Sequence, residues 1–291
     1  MKEIITRNRI SEKTMAHLQL ILVALGWATS TILIKLYMTE LPSFHFMMAR
    51  FFLATVFILM TSFDKVKKIQ MEDIKIGSFL GILTFIAYSL GVICLKYTSA
   101  SKSGFLVALP VLFIPIIESA IRKKTPSKYT VISVILSLVG LKLISGINGS
   151  GFNIGDLLAL GVAITYTLYI ILLDRFGNDR DAFVLTFVQL SVVTIASSIG
   201  AYFEGFSLPQ LYPTFVPILF IGIFSTGISL LLQTKAQKVA SSESVGIILL
   251  GEPLFTLLMA FFILQEKILL GGLIGAILLL LSLVIAIIKK I

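Results

Sequence analysis

A chain of 291 residues with 57% hydrophobic and only 13% charged side chains cannot coat a water-soluble surface, which ordinarily takes about one-quarter charged residues. A mean hydropathy of +1.02 makes lipid the solvent for much of that surface. The net charge of +9 does not point to a nucleic-acid partner, because no soluble basic domain or groove-reading motif accompanies it. Basic residues flanking membrane-spanning helices account for it.

Ten apolar stretches long enough to span a bilayer follow one another, joined by short connections. The first, 17–38, follows a basic segment but has no clear small-x-small cleavage site, so it is read as a retained helix and not a signal peptide. It carries Trp27, Thr31 and Lys35 at i, i+4 and i+8, hence on one face. The second, 44–62, holds Arg50. The third, 76–95, holds Tyr88, the small-residue pair Gly77/Gly81 and the lone Cys94, which can form no internal disulfide and is read as a small apolar packing residue. The fourth, 100–121, contains Pro110 and ends near Glu118, and the fifth is 128–147.

The sixth, 154–173, has Tyr166 and Tyr169, and the seventh is 182–202. The eighth, 214–233, carries a Ser225, Ser229, Gln233 stripe. The ninth, 242–264, contains Glu252-Pro253, and the tenth, 268–288, has a second small-residue pair, Gly271/Gly275. Turn chemistry marks the connections at 39–43, 148–151 and 176–179. His17 and His45 lie near helix ends without the spacing partners that a metal requires, and nothing in the chain calls for a cofactor.

Eighteen of the 24 Lys and Arg residues fall on one side if the N-terminus is cytoplasmic, whereas the outer loops hold only Lys96, Lys102 and Lys267. This bias predicts a multi-pass protein of the cell membrane with both termini cytoplasmic, consistent with an even number of crossings. Lys35, Arg50 and Lys142 lie inside apolar stretches.

The chain also divides into halves, 1–149 and 150–291, of five stretches each. An odd number of crossings per half inverts the second copy relative to the first. An offset of 143 pairs Ser99 with Ser242, Ser101 with Ser244, Leu106 with Leu249, Pro110 with Pro253 and Lys124 with Lys267. Both paired prolines fall inside the fourth helix of their half, where each frees a carbonyl and interrupts the segment. Carriers built of inverted repeats often bind solute beside such interruptions.

Several motifs resemble the EamA family of the drug/metabolite transporter superfamily. The first helix reads Leu25-Gly26-Trp27-Ala28, with Lys35 eight residues after the tryptophan. The third-to-fourth junction reads Leu95-Lys96-Tyr97-Thr98-Ser99-Ala100-Ser101-Lys102. The second half reads Ala236-Gln237-Lys238-Val239, then Gly251-Glu252-Pro253, then Gln265-Glu266-Lys267. Arg122-Lys123-Lys124 stands where the family's first half often has a glutamate, and Leu109-Pro110 stands opposite Glu252-Pro253, so no role passes to a first-half glutamate. The resemblance implies an all-α integral membrane fold of ten helices in two inverted five-helix repeats around a central cavity. It also implies secondary transport, often export, of amino acids or other metabolites.

The expected translocation residues are Trp27, Thr31, Lys35, Arg50, Tyr88, Pro110, Tyr166, Tyr169, Ser229, Glu252 and Pro253. A cation in an apolar helix turns to a cavity, to a partner or to the headgroups. Lys35 and Arg50 therefore either draw an anionic group near the outer mouth or snorkel. Glu252 suits pairing or proton coupling. The tyrosine hydroxyls suit a polar solute, or else interhelical bonding. The expected partners are a small-molecule solute and membrane lipid. A lipid or lipid-linked sugar flippase is a second reading. An intramembrane enzyme is disfavoured, since no nucleophile–base pair or metal cluster is legible.

Overall fold

The computed structural model describes residues 2–37, 41–94, 97–98, 100–145, 153–205, 214–265 and 269–289. Thr39-Glu40, Leu95-Lys96, Ser99, the loop 148–151 and Glu266-Lys267 lie outside the described residues. Among the described residues every regular element is helical. In order come α1 (Lys2–Tyr37), α2 (Ser43–Val66), α3 (Met71–Cys94), α4 (Ala100–Val107), α5 (Pro110–Arg122), α6 (Lys128–Ser145) and α7 (Ile154–Phe176). Then follow α8 (Ala182–Glu204), α9 (Phe215–Phe220), a π-helical segment (Ile221–Ile228), α10 (Ser229–Ala236), α11 (Ser242–Ile248), α12 (Gly251–Ile263) and α13 (Leu270–Lys289).

Among the described residues, nine helical runs are long and apolar enough to cross a membrane. The remaining expected stretch forms the 18-residue α6, which packs along α13. Side chains on the outer faces, such as Phe52, Phe79, Ile164, Ile195, Phe262 and Ile277, are exposed apolar groups suited to lipid.

Local chemistry sets the helix starts. Asn153 and Asp156 form a reciprocal capping box at α7, and Asp181 accepts from the Phe183 and Val184 amides at the start of α8. Pro42 precedes α2 and offers no side-chain cap. The first amides of α2 are served from a distance: Phe44 N and His45 N donate to Glu204 Oε2 at 2.9 and 3.3 Å, and His45 Nδ1 lies 3.2 Å from the same oxygen.

Both fourth crossings break one turn before or beside their proline. In the first half the helix stops at Val107, turns through Ala108-Leu109 and restarts at Pro110. In the second it stops at Ile248, turns through Leu249-Leu250 and restarts at Gly251. Proline has no N–H to donate four residues back, so the freed carbonyls take tighter i+3 partners. Leu109 N reaches Leu106 O at 3.2 Å, and Glu252 N reaches Leu249 O at 3.0 Å.

The halves pack in a reciprocal pattern. The second helices of each half, α2 and α8, lie together, as do the fifth, α6 and α13. Helix α1 rests on α10 and α12, and its counterpart α7 rests on α3, α4 and α5. Small residues permit the closest approaches. A Cβ at Gly77 would meet Val188 at 2.7 Å, and one at Gly81 would meet Val192 at 2.9 Å, so α3 lies tight on α8. Gly140 and Gly275 bring α6 and α13 together backbone to backbone. Ser137 Oγ and Ser282 Oγ lie 2.7 Å apart on the same seam.

Candidate functional site

The polar and aromatic groups of the interior gather where α1, α2, α3, α7, the π segment and α12 converge. Arg50 anchors the cluster. It is buried at 5% exposure, although a charge in this setting is costly to desolvate. Two features offset that cost. Its Nε and Nη2 donate to Thr226 Oγ1 at 3.0 and 2.9 Å, and its guanidinium carbon lies 5.4, 5.4 and 5.2 Å from the ring centroids of Phe46, Phe51 and Tyr88. Nη1 has no hydrogen-bond partner among the described residues. Arg50 thus faces the bundle interior and does not snorkel.

Thr226 accepts because the π segment presents it. Its hydroxyl donates to Ile221 O at 2.9 Å, five residues back, the spacing of a π turn. Gly222 lies against the Arg50 carbonyl, where a Cβ would sit at 2.9 Å, so α2 approaches this turn closely.

An aromatic wall adjoins the arginine. Tyr88 meets Phe51 edge-on at 5.1 Å, Trp27 meets Tyr166 edge-on at 5.9 Å, and Tyr166 stacks on Tyr169 at 5.6 Å. Trp27, Tyr88 and Tyr166 are half-buried, whereas Tyr169 is sealed and donates from its hydroxyl to Gln189 Oε1 at 3.1 Å. Gln233 Nε2 donates to Tyr166 OH at 2.9 Å.

Glu252 stands in the first turn of α12, half-buried. It lies within electrostatic reach of Arg50, Tyr88 and Tyr166. It closes no ion pair within 4 Å with Arg50 and accepts no hydrogen bond among the described residues. Arg50 and Glu252 are therefore electrostatic neighbours that make no direct contact.

The remaining expected residues sit around this cluster. Thr31 is exposed and donates to Trp27 O at 3.2 Å, and Lys35 is exposed in the last turn of α1. Ser229 does not point at the aromatics. It donates to Phe224 O at 3.1 Å and lies against Gly26, where a Cβ would come within 2.6 Å of its Oγ. Pro110 is buried and Pro253 half-buried at the two helix breaks. The sequence reading missed Thr226, Gln189 and the ring faces of Phe46 and Phe51. The one available signal was the run Ser225-Thr226-Gly227, small and polar inside an apolar stretch.

Known proteins resemble the chain as a whole. An uncharacterized transporter of Archaeoglobus fulgidus is 30% identical over 274 residues, covering 94% of this chain and 86% of that protein. An uncharacterized transporter of Clostridium kluyveri is 24% identical over 281 residues, covering 89% and 88%. A solved crystal structure superposes with a TM-score of 0.82 at 15% identity, covering 95% of this chain and 98% of the other, a likeness of fold. The EamA-like transporter family matches twice, at residues 14–146 and again at 153–288. With both halves matched, the chain belongs to the EamA-like transporter family, a family of multi-pass membrane proteins built from two repeats.

Proposed function

We propose that the protein is a secondary carrier of small polar metabolites, amino acids or related compounds, working by alternating access and serving export. The observation that carries this reading is the separation of Arg50 from Glu252. A half-buried carboxylate without a contact partner and a guanidinium with a free Nη1 share one interior, lined by Trp27, Tyr88 and Tyr166. A zwitterionic solute satisfies both charges at once, its carboxylate toward Arg50 and its ammonium toward Glu252 and the ring faces.

In this reading the two repeats, 1–149 and 150–291, rock about a central cavity, with the breaks at Pro110 and Pro253 as joints. Thr31 and Lys35 line the outer approach, Ser229 lets α1 close on the π segment, and Tyr169 backs Tyr166. Glu252 also takes up and releases a proton, which couples movement to the proton gradient. The lysine and arginine bias supports a cell-membrane location with both termini cytoplasmic.

The test is solute uptake and efflux in vesicles, comparing the parent with Lys35→Ala and Glu252→Gln. Transport that depends on both residues supports the assignment, and unchanged transport in both variants removes it.

A further inference from the structure

Below the aromatic wall a second polar stripe runs toward the end of the bundle that carries most of the lysines and arginines. Gln233 Nε2 bonds both Tyr166 OH and Gln237 Oε1, the latter at 3.0 Å, and Gln237 Nε2 donates to Ile170 O at 3.0 Å. Tyr166, Ile170 and Asp174 share one face of α7, and Gln233 and Gln237, one turn apart at the end of α10, bond to that face. At the foot of this seam Ser242 donates to Asp174 Oδ2 at 3.1 Å, and Arg122 Nη2 lies 3.6 Å from the same oxygen. Arg122 also holds Glu118, which is 1% exposed.

Two features mark this seam. First, acceptors remain unspent at both ends: Gln233 Oε1 and Glu118 Oε1 are buried and have no partner among the described residues. Helix-to-helix bonding gains most when such atoms are satisfied. Second, exposure falls steadily along the stripe. Lys35 and Thr31 are exposed, Trp27, Tyr166 and Glu252 half-buried, and Gln233, Gln237 and Ser242 sealed. The foot is pinned across the halves, because Arg122 and Glu118 come from the first and Asp174 and Ser242 from the second.

We infer that the Gln233–Gln237 seam between α7 and α10 is the solute's passage to the basic end, and that Glu118, Arg122 and Asp174 form the latch that shuts it in this structure. The inference rests on the carrier reading above. Opening separates Arg122 from Asp174 and leaves the Glu118–Arg122 pair on the first half.

Cysteine labelling tests it without any solute, so its outcome stands apart from that of the transport assay. Gln237→Cys is placed in a Cys94→Ser background, and a membrane-impermeant maleimide is applied to each face of sealed vesicles. The expected result is slow labelling in the parent, rising about tenfold or more from the basic face on adding Arg122→Ala, the shift that a modest change in a two-state equilibrium produces. Asp174→Asn, which keeps the side chain's shape, gives the same rise and serves if Arg122→Ala misfolds. Lys142→Ala, on α6 packed against α13 and not against the seam, leaves the rate as in the parent. Labelling unchanged in both latch variants, labelling only from the opposite face, or an equal rise with Lys142→Ala overturns the inference.

Discussion

Arg50 of the first half donates twice to the single hydroxyl of Thr226 in the second, across 176 residues of chain. That hydroxyl in turn donates to Ile221 O, so the π turn and the buried cation hold one another in place. The contact ties a buried charge to an irregular turn of helix.

Thr226→Val keeps the branched shape and removes the acceptor. A hydrogen bond to a charged group contributes roughly 1.5–3 kcal/mol, and the variant should lose about that much stability. Thermal unfolding in detergent should show a lower Tm for Thr226→Val and a value near the parent for Thr226→Ser, which keeps the hydroxyl.

Glu252→Gln should behave in the opposite sense. The carboxylate makes no contact bond among the described residues, so its loss should leave stability within about 1 kcal/mol of the parent. Transport should nonetheless fall by about tenfold or more, the equivalent of ~1.4 kcal/mol of lost solute attraction. Parallel Tm and vesicle-transport measurements would show the two quantities moving independently.

Glu204 supplies the cap that α2 lacks in its own sequence. Glu204→Ala should leave the Phe44 and His45 amides without their acceptor, at a cost of about 1–2 kcal/mol by analogy with a lost N-cap. Faster amide hydrogen exchange confined to the first turn of α2 would register the change.

Asp181 sits at the head of α8 and pairs with Lys65 at 3.0 Å. Partial burial pushes its carboxyl up, but hydrogen bonds from Lys65 and from the Phe183 and Val184 amides outweigh this and hold it below the ordinary aspartate value. A lowered folded value means that its stabilisation is fully present above the unfolded value and is lost as pH falls through the folded one. Both partners are substantially exposed, so the effect is under about 1 kcal/mol. Asp181→Asn keeps the cap, and its Tm deficit should be present at neutral pH and vanish near pH 3.

Much of the architecture was legible because hydropathy and proline act locally. The apolar runs marked the crossings, and Pro110 and Pro253 marked where both fourth helices break. The eighth crossing gave no such warning. Its irregular part, Ile221–Ile228, contains no proline, and the π turn follows from packing against Arg50 and Leu53 of a distant helix. Arg50 and Lys35 looked alike as cations in apolar stretches, yet one is buried against Thr226 and three rings while the other is exposed. The difference lies in what the partner helices present, which one-dimensional periodicity does not encode. The Ser225–Ser229–Gln233 stripe shows the same limit: with a π turn inserted, Ser229 meets Gly26 while Gln233 meets Tyr166.

Gly140 and Gly275 have a mechanical consequence. A single methyl on either would collide with the other's carbonyl, at 2.8 and 2.5 Å, so α6 and α13 have no slack for sliding or turning against each other. The last helix of each half is thereby clamped to its twin, and the two act as one stiff plank. The two-residue breaks at 108–109 and 249–250 each lie one half-helix ahead of that plank, where the chain can bend without disturbing it.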